Sequence, residues 1–333
     1  YILENLPGVE VSISSDVCPE IREYERFTTT VINAYIKPLM SNYLKKLDYE
    51  LKEKGFNCPL LLMTSGGTLT NVSSACNNPV RLVESGPAGG AILATSIAKD
   101  LNLNKVISFD MGGTTAKITI IEDKKAIKAR EFEVDRKARF KKGSGFPLRI
   151  PVIEMVEIGA GGGSIARVNK LEQIITGPDS AGSLPGPACY SNGRILPTIT
   201  DADLVVGKIN PENFAGGKIK LSKDLAINAI TKNIGQIVNL DTDTAALAIS
   251  EIVDETMSNA ARVHTVEQGH ETSNRTLIAF GGAAPLHVAR VAEKLKVSSI
   301  IIPTNASVGS AVGFLKAPVG YEVVKSLRML LKG

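Results

Sequence analysis

The sequence predicts an α/β fold, and three features carry that prediction. "KVISFDMGGTTAKITII" at 105–121 reads as two strands joined by a glycine-rich turn. "RTLIAFGGAAPLHVARVAEKLKV" at 275–297 reads as strand, Gly-Gly turn and helix. Between them, from about 136 to 215, lies a Gly-, Pro- and Ser-rich stretch that reads as an insertion of loops and short strands. Strands followed by helices in this order build a sheet with helices packed on it.

The remaining elements follow in order. "VEVSIS" near the start alternates and predicts a strand within residues 1–18. The stretch "PEIREYERFTTTVINAYIKPLMSNYLKKLDYELKEKG" predicts a long helix with Val31, Ala34, Tyr35, Leu39 and Tyr43 as its apolar stripe. Pro38 predicts a kink or break in it, and Gly55 its stop. "PLLLMTSGGTLT" is a buried strand entering a glycine turn, and a helix is expected from about Pro87 to Leu101. "KAIKAREFEV" predicts a third strand after the hairpin. Residues 221–234 read as helical, and a long helix follows with Asp241 or Thr242 as its cap. "SSIIIP" is a strand and "SVGSAVGFLKAP" a small-residue helix. The organisation expected is a connecting strand and long helix over 1–54, then one lobe over 55–333 with its last helices and glycine turn over about 221–316.

Composition narrows the function classes. The chain has 333 residues, 44% of them hydrophobic, and a net charge of +4, too diffuse to argue for nucleic acid. The cluster Arg136, Lys137, Arg139, Lys141 and Lys142 reads as a solvated loop. Four cysteines without a C-x-x-C predict a reducing, cytoplasmic setting. Three histidines exclude a His-rich metal site, and no apolar run of about 18 residues predicts a membrane span.

The first glycine turn holds Asp110, Gly112, Gly113, Thr114 and Thr115. It admits two readings. One is an ordinary hairpin turn. The other is a phosphate cradle of backbone N–H groups and Thr hydroxyls, with Asp110 holding Mg²⁺ directly or through water. The second turn, Gly281, Gly282, Ala283, Ala284 and Pro285, is either close strand–helix packing or an anion site at a helix N-terminus. Neither is a Rossmann fingerprint or a Walker A loop. Cys189 has no His or acid beside it in sequence and reads as a buried small residue.

The order of the two turns resembles the second lobe of the actin, hexokinase and heat-shock-chaperone ATPase superfamily, a ribonuclease H-like fold. "PEIREYERFTTTVINAYIKPLM", "RLVESGPAGGAILA", "PVIEMVEIGAGGGSIARV", "GPDSAGSLPGPACY", "PTITDADLVVGKINP" and "FGGAAPLHVARVAEKL" together resemble the hydantoinase A/5-oxoprolinase family from about Pro7 to Val319. Asp203 stands where that family more commonly has Asn, and Ala284 where it has Gly. Family members are about twice this length and begin with a first phosphate loop. The resemblance therefore implies that these 333 residues alone bind ATP weakly or undetectably by calorimetry and do not hydrolyse it.

That resemblance implies a division of labour. Gly112, Gly113, Thr114 and Thr115 would cradle the ATP phosphates, and Asp110 would position Mg²⁺ (or Mn²⁺) or the attacking oxygen. Gly281, Gly282 and Ala283 would line the adenosine. Gly161, Gly162 and Gly163 would form a second nest, with a packed turn as the alternative. Glu157 and Asp201 are the further carboxylates for metal or proton work, or else ion-pair members. His287 reads as a helix-packing or hydrogen-bonding residue. The activity implied is ATP-dependent opening of a cyclic amide of the hydantoin or 5-oxoproline type, with a hydantoinase B-like partner subunit in an oligomer. The alternatives are the ketone-activating subunit of an acetone-type carboxylase and a non-catalytic binding or assembly lobe.

Overall fold

The computed structural model describes residues 1–137, 143–324 and 329. Arg139, Lys141 and Lys142 of the basic cluster lie outside the described residues; Arg136 pairs with Glu133 at 3.1 Å. By contacts the chain closes into two compact units. One comprises Tyr1–Leu93, Ala126–Glu154 and Ser310–Gly333, the other Ala94–Lys125 and Met155–Gly309. The chain changes unit inside helix Ser85–Asp100, after residue 125, inside the Gly/Pro-rich stretch and after residue 309.

The first unit is organised by helix α1, Glu23–Glu53. It runs unbroken through Pro38, and Gly55 follows its end at φ +87°, a left-handed position suited to glycine. The face it packs inward is not the predicted stripe but one that carries Ile32, Ile36, Met40 and Leu44. Tyr35 is 85% and Leu39 75% exposed, whereas Thr29, Asn33, Ser41 and Leu44 are buried. Hydrogen bonds hold that face as well. Asn33 Nδ2 donates to the Asn77 carbonyl at 3.2 Å, Val80 N–H donates to Asn33 Oδ1 at 3.2 Å, and Ser41 Oγ donates to the Cys76 carbonyl at 3.0 Å. These polar groups satisfy the backbone of the short helices that pack there. "VEVSIS" forms no strand: its last residue opens helix Ser14–Val17, and Lys37 Nζ donates to the Val11 carbonyl at 2.9 Å.

The predicted third strand is divided. After residue 125 the chain leaves the hairpin's unit, and Lys128–Ala129 pairs with Val152–Ile153 while Phe132–Val134 pairs with Phe146–Leu148. Alternation along "KAIKAREFEV" is compatible with any antiparallel neighbour, so the sequence alone does not choose one.

The second unit holds the sheet. Strands β1 (Lys105–Met111), β2 (Ala116–Glu122) and β3 (Met155–Ile158) come first. The hairpin β4 (Ser164–Val168) and β5 (Ile174–Ser180) follows from the Gly/Pro-rich stretch. Then come helices α2 (Ile199–Val206) and α3 (Thr242–Glu267), strand β6 (Thr276–Phe280), helix α4 (Ala284–Leu295) and strand β7 (Ser299–Ile301). The sheet order is β3-β2-β1-β6-β7, antiparallel on the hairpin side and parallel from β1 through β7. Ile107, Phe109 and Met111 of β1 and Ile118 of β2 face a core shared with Val253 and Met257 of α3 and Val288 and Val291 of α4. Asp241 caps α3, accepting from Thr244 N–H at 2.9 Å.

Candidate functional site

The two glycine turns meet because β1 and β6 are parallel neighbours in register. Phe280 stands beside Asp110, so both strands end at one rim of the sheet. There Ala283 N–H donates to the Met111 carbonyl at 2.9 Å. A Cβ on Gly281 would stand 2.7 Å from Asp110 Oδ1, so the Asp110 carboxylate lies against the second turn. Gly281 is also held at φ +93°.

The first turn is tight: Gly112 N–H donates to the Thr115 carbonyl at 3.1 Å. Gly112 and Gly113 have no left-handed φ, and a Cβ on either would meet nothing within 4 Å; the same holds for Gly282. Neither backbone conformation nor packing accounts for glycine at these three positions. What the missing side chains leave is bare backbone facing open space.

Gly161, Gly162 and Gly163 behave differently. Gly161 N–H donates to Ser164 Oγ at 2.9 Å, Gly162 N–H to the Gly112 carbonyl at 3.0 Å and Gly163 N–H to the Gly113 carbonyl at 2.6 Å. Their amides are spent on protein, so the expected anion nest is corrected to a buttress beneath the first turn. The glycines are required by close approach. A Cβ on Gly161 would lie 2.6 Å from Thr114 N, and one on Gly163 2.9 Å from the Gly113 carbonyl oxygen.

A pocket of about 750 Å³ opens over the first turn. It is lined by Gly113, Thr114, Gly163 and Thr200 together with Pro187, Tyr190 and Asn192, and Lys218 and Lys220 border it. The Thr200 hydroxyl is anchored on the Gly162 carbonyl at 2.8 Å.

Asp201 does not face this pocket. It is fully buried, and its carboxylate accepts from Ala188 N–H (3.1 Å), Cys189 N–H (2.7 Å), Thr198 N–H (2.8 Å) and Thr198 Oγ1 (2.8 Å). With both oxygens filled, its expected proton or metal role is corrected to a structural one. It closes the capping box of α2 and fixes the 187–190 segment that carries Tyr190. The Cys189 thiol is pushed far above its usual range by burial and by Asp201 beside it, which agrees with a packing residue.

Glu157 lies on β3, its carboxylate 3.3 Å from Lys117 Nζ. His287, in the first turns of α4, is fully buried between two carboxylates. Its Nδ1 is 2.7 Å from Asp254 Oδ1 and its Nε2 3.0 Å from Asp203 Oδ2. Burial opposes the imidazolium, but the two carboxylates outweigh it and raise the His287 pKa to about 9. Lys208 Nζ, 3.3 Å from Asp203 Oδ1, adds a second positive charge to the cluster. This network joins α2, α3 and α4 behind the second glycine turn. The sequence offered only the Asp and His letters, far apart.

Among the described residues, no group of three or more His, Cys, Asp or Glu side chains is placed to hold a metal ion. One carboxylate beside a phosphate cradle still suits Mg²⁺, which takes one or two carboxylates together with substrate phosphates and water. Among the same residues, no helix is long and apolar enough to cross a membrane.

The model of the hydantoinase/oxoprolinase family matches residues 26–323. An uncharacterized protein of Methanocaldococcus jannaschii is 44% identical over 98% of this chain and 48% of its own length. Caprolactamase subunit alpha of Pseudomonas jessenii is 34% identical over 98% of this chain and 46% of its own. The crystal structure of that organism's ATP-dependent caprolactamase superposes with a TM-score of 0.80 at 32% identity, over 96% of this chain and 45% of the solved one. Acetone carboxylase beta subunit of Xanthobacter autotrophicus is 29% identical over 96% of this chain and 43% of its own. The chain therefore spans about half the length of the curated relatives it matches. The lobe is of the actin- and hexokinase-type ATPase fold.

Proposed function

The chain belongs to the hydantoinase/oxoprolinase family, and on that premise we propose that it is the nucleotide-binding part of an ATP-dependent enzyme that opens a cyclic amide. The observation that carries this is the trio Gly112, Gly113 and Gly282. All three lie on one rim, where neither fold nor packing asks for glycine. Phosphate oxygens and a flat ring both need backbone without side chains.

An unstrained amide carbonyl is a poor electrophile. In the reaction proposed, the amide oxygen takes the γ-phosphoryl group and ADP departs. Water adds at the activated carbon, the ring C–N bond breaks and phosphate is released. Gly112–Thr115 hold the phosphates, Gly281–Ala283 line the adenosine, and Asp110 orients the metal or the attacking oxygen. A divalent ion at Asp110 would supply charge stabilisation to the transferring group. The pocket lined by Tyr190 and Lys218 takes the acceptor. A partner subunit completes the reaction, in keeping with relatives described as a subunit alpha and a subunit beta.

The likeness to acetone carboxylase beta subunit favours a second reading, in which a ketone oxygen is phosphorylated before carboxylation. Phosphate release by the assembled enzyme distinguishes them. A hydantoin, 5-oxoproline or larger lactam should stimulate release under the first reading, and acetone with bicarbonate under the second. Stimulation by neither class would overturn both.

A further inference from the structure

One row of the sheet, just before the first glycine turn, runs Glu157, Lys117, Asp110, Phe280 across β3, β2, β1 and β6. Directly opposed residues project to the same face, so Lys117 stands between two carboxylate-bearing positions. Its ammonium is 3.3 Å from Glu157 Oε1 and donates to Thr115 Oγ1 at 2.8 Å. Lys117 is 22% exposed and Glu157 46%.

A half-exposed ion pair on a sheet contributes little to stability. That leaves unexplained why the ammonium is also tied to a hydroxyl of the glycine turn. Charge supplies a reason. A polyphosphate brought to this turn meets Asp110 and Glu157, both anionic, and backbone amides offer only partial charges. Lys117 is the cation that a hydroxyl of the turn itself holds; Lys218 and Lys220 line the pocket from a separate segment.

We propose that Lys117 is the ammonium that meets the phosphate oxygens at the Asp110–Thr115 turn, and that Glu157 is a positioning residue that holds Lys117 and competes with phosphate for it. This rests on the nucleotide reading above. It replaces the metal or proton role expected of Glu157 with an indirect one. When phosphate arrives, the Lys117–Glu157 contact loosens, and Thr115 keeps the ammonium over the turn.

The test is a set of NMR titrations of the 333-residue chain, which detect even millimolar binding, with Mg-pyrophosphate and adenosine as separate probes. Lys117→Met keeps the apolar stem and should weaken pyrophosphate about tenfold while leaving adenosine unchanged. Lys117→Arg should stay within about threefold of the wild type. Glu157→Gln should tighten pyrophosphate about threefold, and the double variant should match Lys117→Met. A purely structural pair gives a different pattern, in which Glu157→Gln weakens binding or changes nothing. Unchanged pyrophosphate affinity in Lys117→Met, or unchanged or weaker binding in Glu157→Gln, overturns the proposal and leaves the nucleotide reading standing. A wild-type chain that binds neither probe overturns both.

Discussion

The Ala283 amide donates to the Met111 carbonyl at 2.9 Å, and this contact ties the two glycine turns into one surface. Each turn ends a different strand, yet the parallel register of Phe280 with Asp110 brings them to the same rim. A nucleotide that bridges phosphate and adenosine subsites needs such a shared edge.

Glycines of the two kinds should separate under mutation. Gly113→Ala and Gly282→Ala add a methyl group into open space and should shift stability by less than about 0.5 kcal/mol while weakening nucleotide binding. Gly161→Ala forces a methyl group to 2.6 Å from Thr114 N and should cost about 1–3 kcal/mol of stability. Denaturant melts paired with nucleotide titration read both. Equal loss of stability in all three variants would remove the distinction.

Asp201 should act through folding. Asp201→Ala leaves the Ala188, Cys189 and Thr198 amides without their shared acceptor and should destabilise the chain by about 2–4 kcal/mol. A variant of wild-type stability with lost turnover would restore Asp201 as a chemical group.

Stability should fall in the alkaline range because of His287. Its pKa rises from 6.5 to about 9 on folding, so the folded state binds the proton more tightly. The resulting stabilisation, on the order of 3 kcal/mol, is fully present below pH 6.5 and fades as pH rises through 9. His287→Gln should flatten that part of the profile. Urea melts between pH 6 and 10 measure it, and an unchanged slope in the variant would exclude His287 as the cause.

Asp110→Asn keeps the side chain's shape and removes its charge. In the assembled enzyme it should cut ATP turnover by roughly 10²–10³, the scale of losing one positioned electrostatic group. Steady-state phosphate release decides it, and turnover within a few-fold of wild type would take Asp110 out of the mechanism.

The sequence by itself determined the strand–glycine turn–strand and strand–Gly-Gly–helix units, the caps at Asp241 and Gly55, and the family. These are local: periodicity over neighbouring residues, backbone freedom at glycine and short motifs all lie within a few positions of one another. Only the tertiary structure decided that Gly161–Gly163 brace the first turn, that Asp201 fills a buried cap, and that His287 sits between Asp203 and Asp254. It also turned α1 so that Asn33 and Ser41 face inward and Tyr35 and Leu39 outward. In each of these cases the outcome depends on partners up to some 80 residues away along the chain. An amide, a carboxylate or a helix face looks the same in sequence whether its partner is water, protein or ligand; folding assigns the partner, because a buried polar group must find one.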